Sequence, residues 1–136
     1  MKPQNSDLEQ IQILLKSIND AWLKGRPEDV PQALTPHFHP DICIKGPGLQ
    51  MMAKGRDACA RSYQEFLQQA TLKDCALSEP EVSVYGDTAV ATFKWEMTYV
   101  LQGQEYRESG YDLFVLCRAD GRWLACWRAM LPAPSQ

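Results

Sequence analysis

The C-terminal half of the chain consists of alternating segments joined by very short turns, and this pattern limits the fold more than any other feature of the sequence. From Leu77 onward, apolar and polar side chains alternate with a period of two. Because such short turns cannot carry a crossover connection, successive strands must be antiparallel neighbours. The predicted strands cover residues 77–85, 89–101, 105–118 and 122–131, with turns at Gly86-Asp87, Gln102-Gly103 and Asp120-Gly121.

The N-terminal part of the chain has helical periodicity instead. Apolar residues recur at helical spacing from Leu8 to Trp22, Ser6 and Glu9 match a capping box at the start of this run, and Gly25 ends it. The pattern predicts a long helix with one apolar side.

Two further helices and a short strand are predicted before residue 77. A short helix begins at Pro27, and a third helix covers residues 56–70. A short β-branched strand over residues 41–45 lies between them and ends at Gly46-Pro47-Gly48. The inward residues of the short helix are Val30, Leu34 and Phe38.

The strands differ in how many of their faces are apolar. Strand 89–101 has one apolar and one polar face, whereas strands 105–118 and 122–131 are apolar on both faces, as strands are when both sides are covered. Three helices can cover only one side of a sheet this wide. We therefore predict a homodimer that forms through the outer face of the last two strands.

Composition and charge exclude several classes of partner. The chain has 14 Lys and Arg residues against 17 Asp and Glu, so no basic surface for nucleic acid is expected. Its five cysteines include no C-x-x-C pair, which favours reduced thiols over a disulfide framework or a zinc ribbon. Because we find no apolar leader and no apolar stretch approaching about 18 residues, we expect a cytoplasmic protein that does not bind membranes.

An ordered set of short motifs resembles the nuclear-transport-factor-2-like superfamily, in particular its SnoaL-like and ketosteroid-isomerase-like branch. The resemblance covers about residues 8–131 and implies a single domain over residues 1–136. The motifs are Ala21-Trp22 with Gly25, Phe38-x-Pro40-Asp41, Gly55-Arg56-Asp57-Ala58, Gly86-Asp87-Thr88-Ala89-Val90 and Asp120-Gly121-Arg122-Trp123.

This resemblance implies an α+β, cone-shaped (cystatin-like) fold in which three helices pack on a strongly bent antiparallel sheet and enclose an internal pocket. Members of the superfamily use the pocket for isomerisation, cyclisation, dehydration, ligand binding or protein assembly. The fold alone does not choose among these functions.

Asp112 is the carboxylate best suited to chemistry, because it interrupts an apolar strand on the face that also carries Phe114 and Leu116. Burial disfavours the charged form of a carboxylate, so Asp112 is a candidate proton donor or general acid/base. In steroid isomerases a protonated Asp on the similar strand helps to hold an oxyanion. The alternative is a structural carboxylate, hydrogen-bonded to a helix amide or to Arg128.

The rest of the isomerase machinery is not matched. The resemblance places a general base at Gly46 and an oxyanion-hole tyrosine at Ile18, and neither residue can serve. Tyr63 matches a supporting pocket tyrosine. Steroid isomerisation is therefore not expected, whereas cyclase-like chemistry and the loss of catalysis both stay open.

Large residues on inward registers are expected to line the pocket around Asp112, and such a wall suits a flat, mostly apolar ligand. These residues are Trp22, Tyr63, Trp95, Met97, Phe114 and Trp127.

His37, His39, Asp41 and Cys43 alternate like a set of metal ligands. In an extended chain they span about 20 Å, which is too long to converge on one ion with bonds of about 2 Å. We predict no metal site. His39 is a candidate general base at the pocket mouth, and the alternative is a capping or surface role.

Two functions fit these observations. The first is a binding protein or cofactor-independent enzyme for a small hydrophobic metabolite, with Asp112 as acid/base or polar anchor, and it requires a pocket of several hundred Å³. The second is a non-catalytic dimerisation or protein-interaction domain, whose interior is filled by tryptophan side chains. No cofactor is predicted for either.

Overall fold

Three helices lie against one curved, unclosed seven-stranded sheet. The structure is a computed structural model that describes residues 3–133, with side chains from Ser6 onward. The helices are α1 (Pro3–Leu23), α2 (Val30–Leu34) and α3 (Arg56–Gln69). The strands are β1 (Phe38–Lys45), β2 (Met51–Lys54), β3 (Ala70–Leu77), β4 (Glu81–Tyr85), β5 (Thr88–Leu101), β6 (Gln104–Ala119) and β7 (Arg122–Pro132). The predicted α+β class is confirmed.

The long helix α1 buries the apolar stripe that its spacing predicts. Ile11, Leu15 and Ile18 are almost completely buried, and this burial supplies most of the stability of an amphipathic helix. The predicted capping box is wrong, because α1 begins at Pro3 and Ser6 lies within the helix, where its hydroxyl accepts a hydrogen bond from Gln10 Nε2 at 3.3 Å. None of the described helices is long and apolar enough to cross a bilayer.

The second helix is shorter than the sequence suggests. A 3-10 turn at Pro27–Asp29 precedes α2, and a second 3-10 turn at Thr35–His37 follows it. Pro36 has no amide hydrogen to continue the helical pattern, so the chain enters β1 at Phe38. Phe38 is buried as predicted, but it points inward from a strand and not from a helix.

The sheet has the order β2-β1-β7-β6-β5-β3, and β4 also pairs with β5. All pairs are antiparallel except β1 with β7, which are parallel. The three long C-terminal strands match their predicted limits to within one residue. The limits agree because two-residue turns connect these strands, and such a turn fixes the ends of both strands through residues that are adjacent in the sequence.

Two edge strands, β2 and β3, were not predicted. The four residues of β2 are mostly exposed. In β3 the register shifts between Leu72 and Asp74, which breaks the period of two. The strand predicted over residues 77–85 corresponds to β4 and to Leu77, the last residue of β3, because residues 78–80 between them belong to no strand.

A bulge in β7 decides which face of the sheet each of its residues occupies. Ala125 lies opposite Leu116 and Trp127 lies opposite Val115, so Cys126 is an extra residue in β7. The bulge reverses the alternation beyond it. Trp127 therefore shares the outer face with Val115, and Arg128 turns inward, opposite Phe114.

Candidate functional site

A cavity of about 410 Å³ lies among α1, α3 and the inner face of the sheet. Its inner end is buried at Ile44, Phe93 and Asp112, and its rim includes the exposed Met52. We call this space the inner cavity. The residues that line it are Asn19, Trp22, Ile44, Met52, Ser62, Tyr63, Glu65, Phe66, Gln69, Leu77, Phe93, Trp95, Met97, Glu108, Asp112, Arg128 and Met130.

The structure brings five of the predicted pocket residues together in this wall: Trp22, Tyr63, Trp95, Met97 and Asp112. Phe114 and Trp127 do not belong to it. Phe114 is buried behind the wall, with its ring stacked on Phe93 at a centroid distance of 6.0 Å. The prediction for Trp127 fails because the bulge at Cys126 places it on the outer face.

Asp112 forms an ion pair with Arg128 in the wall of the inner cavity. Arg128 Nε and Nη2 both donate to Asp112 Oδ2, at 3.1 and 2.9 Å. The two side chains are only 12% and 6% exposed, for Arg128 and Asp112 respectively. This contact confirms Arg128 as the partner named in the structural interpretation of Asp112. Hydrogen bonds between a guanidinium and a carboxyl group are among the stronger polar contacts in proteins.

Aromatic rings enclose the guanidinium of this pair. Arg128 Cζ lies 4.8 Å from the centroid of the Tyr63 ring and 5.8 Å from that of Phe114, both within cation–π range. Burial by itself lowers the pKa of Arg128, but the Asp112 carboxylate and its neighbours raise it above its ordinary value. Burial also raises the pKa of Tyr63. Arg128 therefore remains a cation, and Tyr63 remains a neutral phenol.

Two polar atoms of the cavity wall have no hydrogen-bond partner among the described residues: Asp112 Oδ1 and Trp95 Nε1. An arginine commonly engages both oxygens of a carboxylate, but here both donated bonds go to Oδ2. A buried polar atom without a partner costs about 1–3 kcal/mol. Each of these two atoms has less than 1 Å² of accessible surface, so the acceptor and the donor are both unpaired among the described residues and hidden from the inner cavity.

No polar side chain stands at the two positions where the steroid isomerases have theirs. Ile18 is completely buried in the core of α1. An added Cβ at Gly46 would overlap Met52 Sδ, which belongs to a flexible, exposed side chain that would have to move aside. Met52 is the extra residue of a bulge between β1 and β2, because Ala53 pairs with Ile44 and Met51 pairs with Lys45. The thioether thus covers Gly46 at the cavity rim.

The histidines lie outside the inner cavity. His39 Nδ1 accepts a hydrogen bond from the Asp41 amide at 3.0 Å, which closes a local turn around Pro40. This contact favours the structural role over that of a general base, since His39 is not part of the wall. Among residues 3–133, no cluster of three or more His, Cys, Asp or Glu side chains could hold a metal ion.

The surroundings of His37 predict that the stability of the fold depends on pH. Burial, and secondarily the charge of Arg122, lower the pKa of His37. The unfolded chain therefore binds a proton at this residue at a higher pH than the folded chain does, so the stabilisation is present above about pH 6.5 and is lost as the pH falls. We expect His37→Gln to reduce the loss of unfolding free energy between pH 7 and pH 5, measured by urea titration. Identical pH profiles for the two proteins would contradict this assignment.

Sequence reasoning named Arg128 as an alternative partner of Asp112, but it missed the bulge that turns Arg128 inward and the contribution of Met52. An arginine within the otherwise apolar run of β7 was a visible signal for a buried ion pair, but simple alternation placed it on the wrong face. Met52 gave no such signal, because its role follows from a bulge in a strand that the sequence did not predict.

The chain matches a known domain family. A family model described as the SnoaL-like domain matches residues 16–126. The chain gives no match among curated proteins.

Three solved structures illustrate the similarity of fold. A candidate dehydratase of the NTF2-like family from Streptomyces avermitilis superimposes with a TM-score of 0.76 at 19% identity, covering 96% of this chain and 99% of that one. An NTF2-like protein with a cystatin-like fold from Novosphingobium aromaticivorans gives 0.72 at 21% identity, covering 98% and 86%. A candidate Ca/calmodulin-dependent kinase II association domain from Exiguobacterium sibiricum gives 0.74 at 17% identity, covering 100% and 99%. At these identities the similarity establishes the fold and no activity.

Proposed function

Because the chain belongs to the SnoaL-like domain family and has its NTF2-like, cystatin-like fold, we propose that it binds a small, mostly apolar molecule in the inner cavity and acts on it through Asp112. One observation carries this proposal: the Asp112–Arg128 ion pair lies in the wall of a cavity of about 410 Å³. A domain that served only for assembly would have no need of such a space. The volume falls within the range of small-molecule sites.

The geometry favours Asp112 as a proton acceptor. Arg128 occupies Oδ2 and stabilises the negative charge, and Oδ1 is free of protein partners among the described residues. Oδ1 has less than 1 Å² of accessible surface, so it must become exposed when a molecule binds. It can then take a proton from that molecule and return it at another atom, which is general acid/base catalysis. Isomerisation, cyclisation and dehydration can all proceed in this way. The dehydratase assignment of the Streptomyces avermitilis protein is consistent with such chemistry.

A second function, as an assembly domain, is favoured by the outer face of the sheet. Leu113, Val115, Leu124 and Trp127 form an apolar, half-buried surface there, and the bulge adds Trp127 to it. We propose that a second copy of the chain covers this face around a two-fold axis, since one apolar patch can pack on itself. A dimer is compatible with either function. Light scattering at micromolar concentration tests it, and Trp127→Glu should give a monomer.

A thermal-shift screen tests the binding function. Steroid-like, polyketide-like and terpene-like compounds are screened against the wild type, Asp112→Asn, and Glu108→Gln as a control at the exposed cavity rim. We expect some compounds to raise the Tm of the wild type and of Glu108→Gln by several degrees, and to have a much smaller effect on Asp112→Asn. Turnover of any compound so identified should be abolished in Asp112→Asn. Equal shifts for all three proteins would contradict the role of Asp112.

A further inference from the structure

The connection from β1 to β2 carries an exposed apolar surface beside the mouth of the inner cavity. Leu49, Met51 and Met52 are each more than half exposed, and they make up three of the six exposed large apolar side chains among the described residues. Met52 also belongs to the cavity wall. We call these three residues the rim patch. We propose that the rim patch and the basic residues around it dock on the surface of an anionic lipid bilayer.

Leu49 departs from two local preferences at once. Its φ is 61°, in the left-handed region that glycine and asparagine adopt more readily than leucine does, and its apolar side chain is exposed. The turn around it is well defined, since the Gly46 amide donates to the Gln50 carbonyl oxygen at 2.8 Å and the Leu49 amide donates to the Gly46 carbonyl oxygen at 2.9 Å. A polar residue would suit this turn better, which favours a role for the leucine side chain in contact with a partner.

Basic residues flank the rim patch. Lys45 pairs with Met51 across the β1–β2 hairpin, Lys54 ends β2, and Arg56 begins α3. None of these three basic residues forms an ion pair with a described residue. Residues 42–56 contain no Asp or Glu, although the whole chain has a net charge of -3. This local positive charge is complementary to anionic lipid headgroups.

Two carboxylates on α3 reduce this charge only in part. Asp57 follows Arg56 directly and offsets some of its charge. Glu65 lies at the cavity rim, nine residues along the helix from Arg56. At 1.5 Å per residue this is about 13 Å, which exceeds the Debye length of about 8 Å at physiological ionic strength. The rim patch therefore keeps an excess of positive charge around it.

The size of the rim patch favours a bilayer over a protein partner. A specific protein interface buries about 800 Å² on each partner, and three apolar side chains cover far less than that. Reversible attachment to a bilayer needs only a few inserted apolar side chains together with basic residues near the headgroups. The contact also has a use that rests on the proposed function, because small apolar molecules partition into bilayers and the cavity mouth would face them there.

The proposal departs from the expectation that this protein does not bind membranes. That expectation rested on the lengths of apolar runs and on the absence of an apolar leader. The rim patch consists of three residues around one turn, and a search for long apolar runs does not detect it.

Co-sedimentation with vesicles tests the proposal without any ligand for the inner cavity. The vesicles contain phosphatidylcholine alone, or phosphatidylcholine and phosphatidylglycerol at a ratio of two to one. We expect binding to the mixed vesicles, much weaker binding to phosphatidylcholine alone, and release in about 0.5 M NaCl, which screens the charges. If the wild type binds poly-L-glutamate but not the mixed vesicles, the bilayer is the wrong partner and an acidic protein is the better one. The proposed function would then still stand, because the thermal-shift screen measures it separately.

A substitution at Leu49 separates docking from folding. Leu49→Asn removes the apolar side chain and supplies a residue that tolerates the left-handed conformation, so the Tm should not fall. We expect it to weaken vesicle binding by roughly 5- to 15-fold, because more than half of a leucine side chain no longer enters the bilayer. Ile13→Gln on α1 is the control, since Ile13 is more exposed still and lies outside the cavity wall. Equal losses of binding in the two variants would overturn the proposal.

A pair of double variants tests the basic residues. Lys45→Gln/Lys54→Gln should weaken binding to the mixed vesicles by about 5-fold for each lysine removed. Lys16→Gln/Lys73→Gln removes the same charge from α1 and β3, and it should have a much smaller effect. If both double variants lose the same affinity, net charge alone governs the binding and no docking surface exists at the rim patch.

Discussion

Replacing Arg128 by methionine should lower the free energy of unfolding by about 3–5 kcal/mol, because it leaves the Asp112 carboxylate buried without a counter-charge. The side chain of Asp112 is 6% exposed, and both of its hydrogen bonds to described residues come from Arg128. Methionine keeps much of the apolar volume between Tyr63 and Phe114, so most of the effect is electrostatic. Urea unfolding at pH 7, followed by circular dichroism, measures the change.

Two controls separate the loss of charge pairing from other effects. The double variant Asp112→Leu/Arg128→Met removes both charges, and it should recover most of the lost stability, as apolar replacements of buried ion pairs do. Arg26→Met breaks a pair with Glu28 whose side chains are 75% and 62% exposed, and it should cost less than about 1 kcal/mol. If Arg128→Met and Arg26→Met have the same small effect, the pair is not the buried contact described above.

Gly110→Ala should destabilise the protein by about 1–3 kcal/mol, the usual cost of forcing a methyl group into a packed interior. The added Cβ would lie 2.6 Å from the Leu131 carbonyl oxygen and 2.7 Å from Trp95 Cζ2. The carbonyl belongs to the backbone of β7 and cannot rotate away, so the strands themselves must separate. Chemical denaturation measures the loss, and the tryptophan fluorescence should change because the indole is displaced.

A second substitution divides this effect into its two contacts. Gly110→Ala in a Trp95→Ala background removes the collision with the indole and keeps the one with Leu131. We expect the alanine at position 110 to cost less in this background, but still to reduce the unfolding free energy. A change below about 0.5 kcal/mol in both backgrounds would mean that the strands have free space at this position.

Elements that depend on contacts between neighbouring residues were predictable from the sequence, whereas elements that depend on contacts between distant residues were not. The limits of β5, β6 and β7 were predicted to within one residue, because alternation and two-residue turns act between neighbouring residues. The edge strands β2 and β3 were missed, since their half-exposed side chains and register shifts leave no regular period. The capping box failed because α1 begins at Pro3, three residues before Ser6 and five before Leu8, where the apolar stripe starts.

In the candidate site, too, the sequence shows local features but not contacts between neighbouring strands. Asp112 was identifiable because a carboxylate interrupts an apolar run, which is a local feature of the sequence. The sequence also named Arg128 as an alternative partner of Asp112. The bulge that turns Arg128 toward this carboxylate was not identifiable, because it depends on how β6 and β7 are aligned side by side. The alternation of β6 correctly predicts the face on which Phe114 lies, but the ring lies behind the cavity wall. Periodicity gives no information on how far a side chain lies from a cavity.

Periodicity and turn chemistry within a few residues settled the long hairpins and the face of β6 on which Asp112 lies, and the resemblance of short motifs to a known superfamily implied the fold class. Tertiary packing decided which residues of β7 meet that carboxylate. One extra residue, Cys126, exchanges the faces of Trp127 and Arg128, and so provides an ion pair where strict alternation would have placed an indole. The physical reason is that a bulge depends on the balance of hydrogen bonds and packing across neighbouring strands, which the residues of a single strand do not encode.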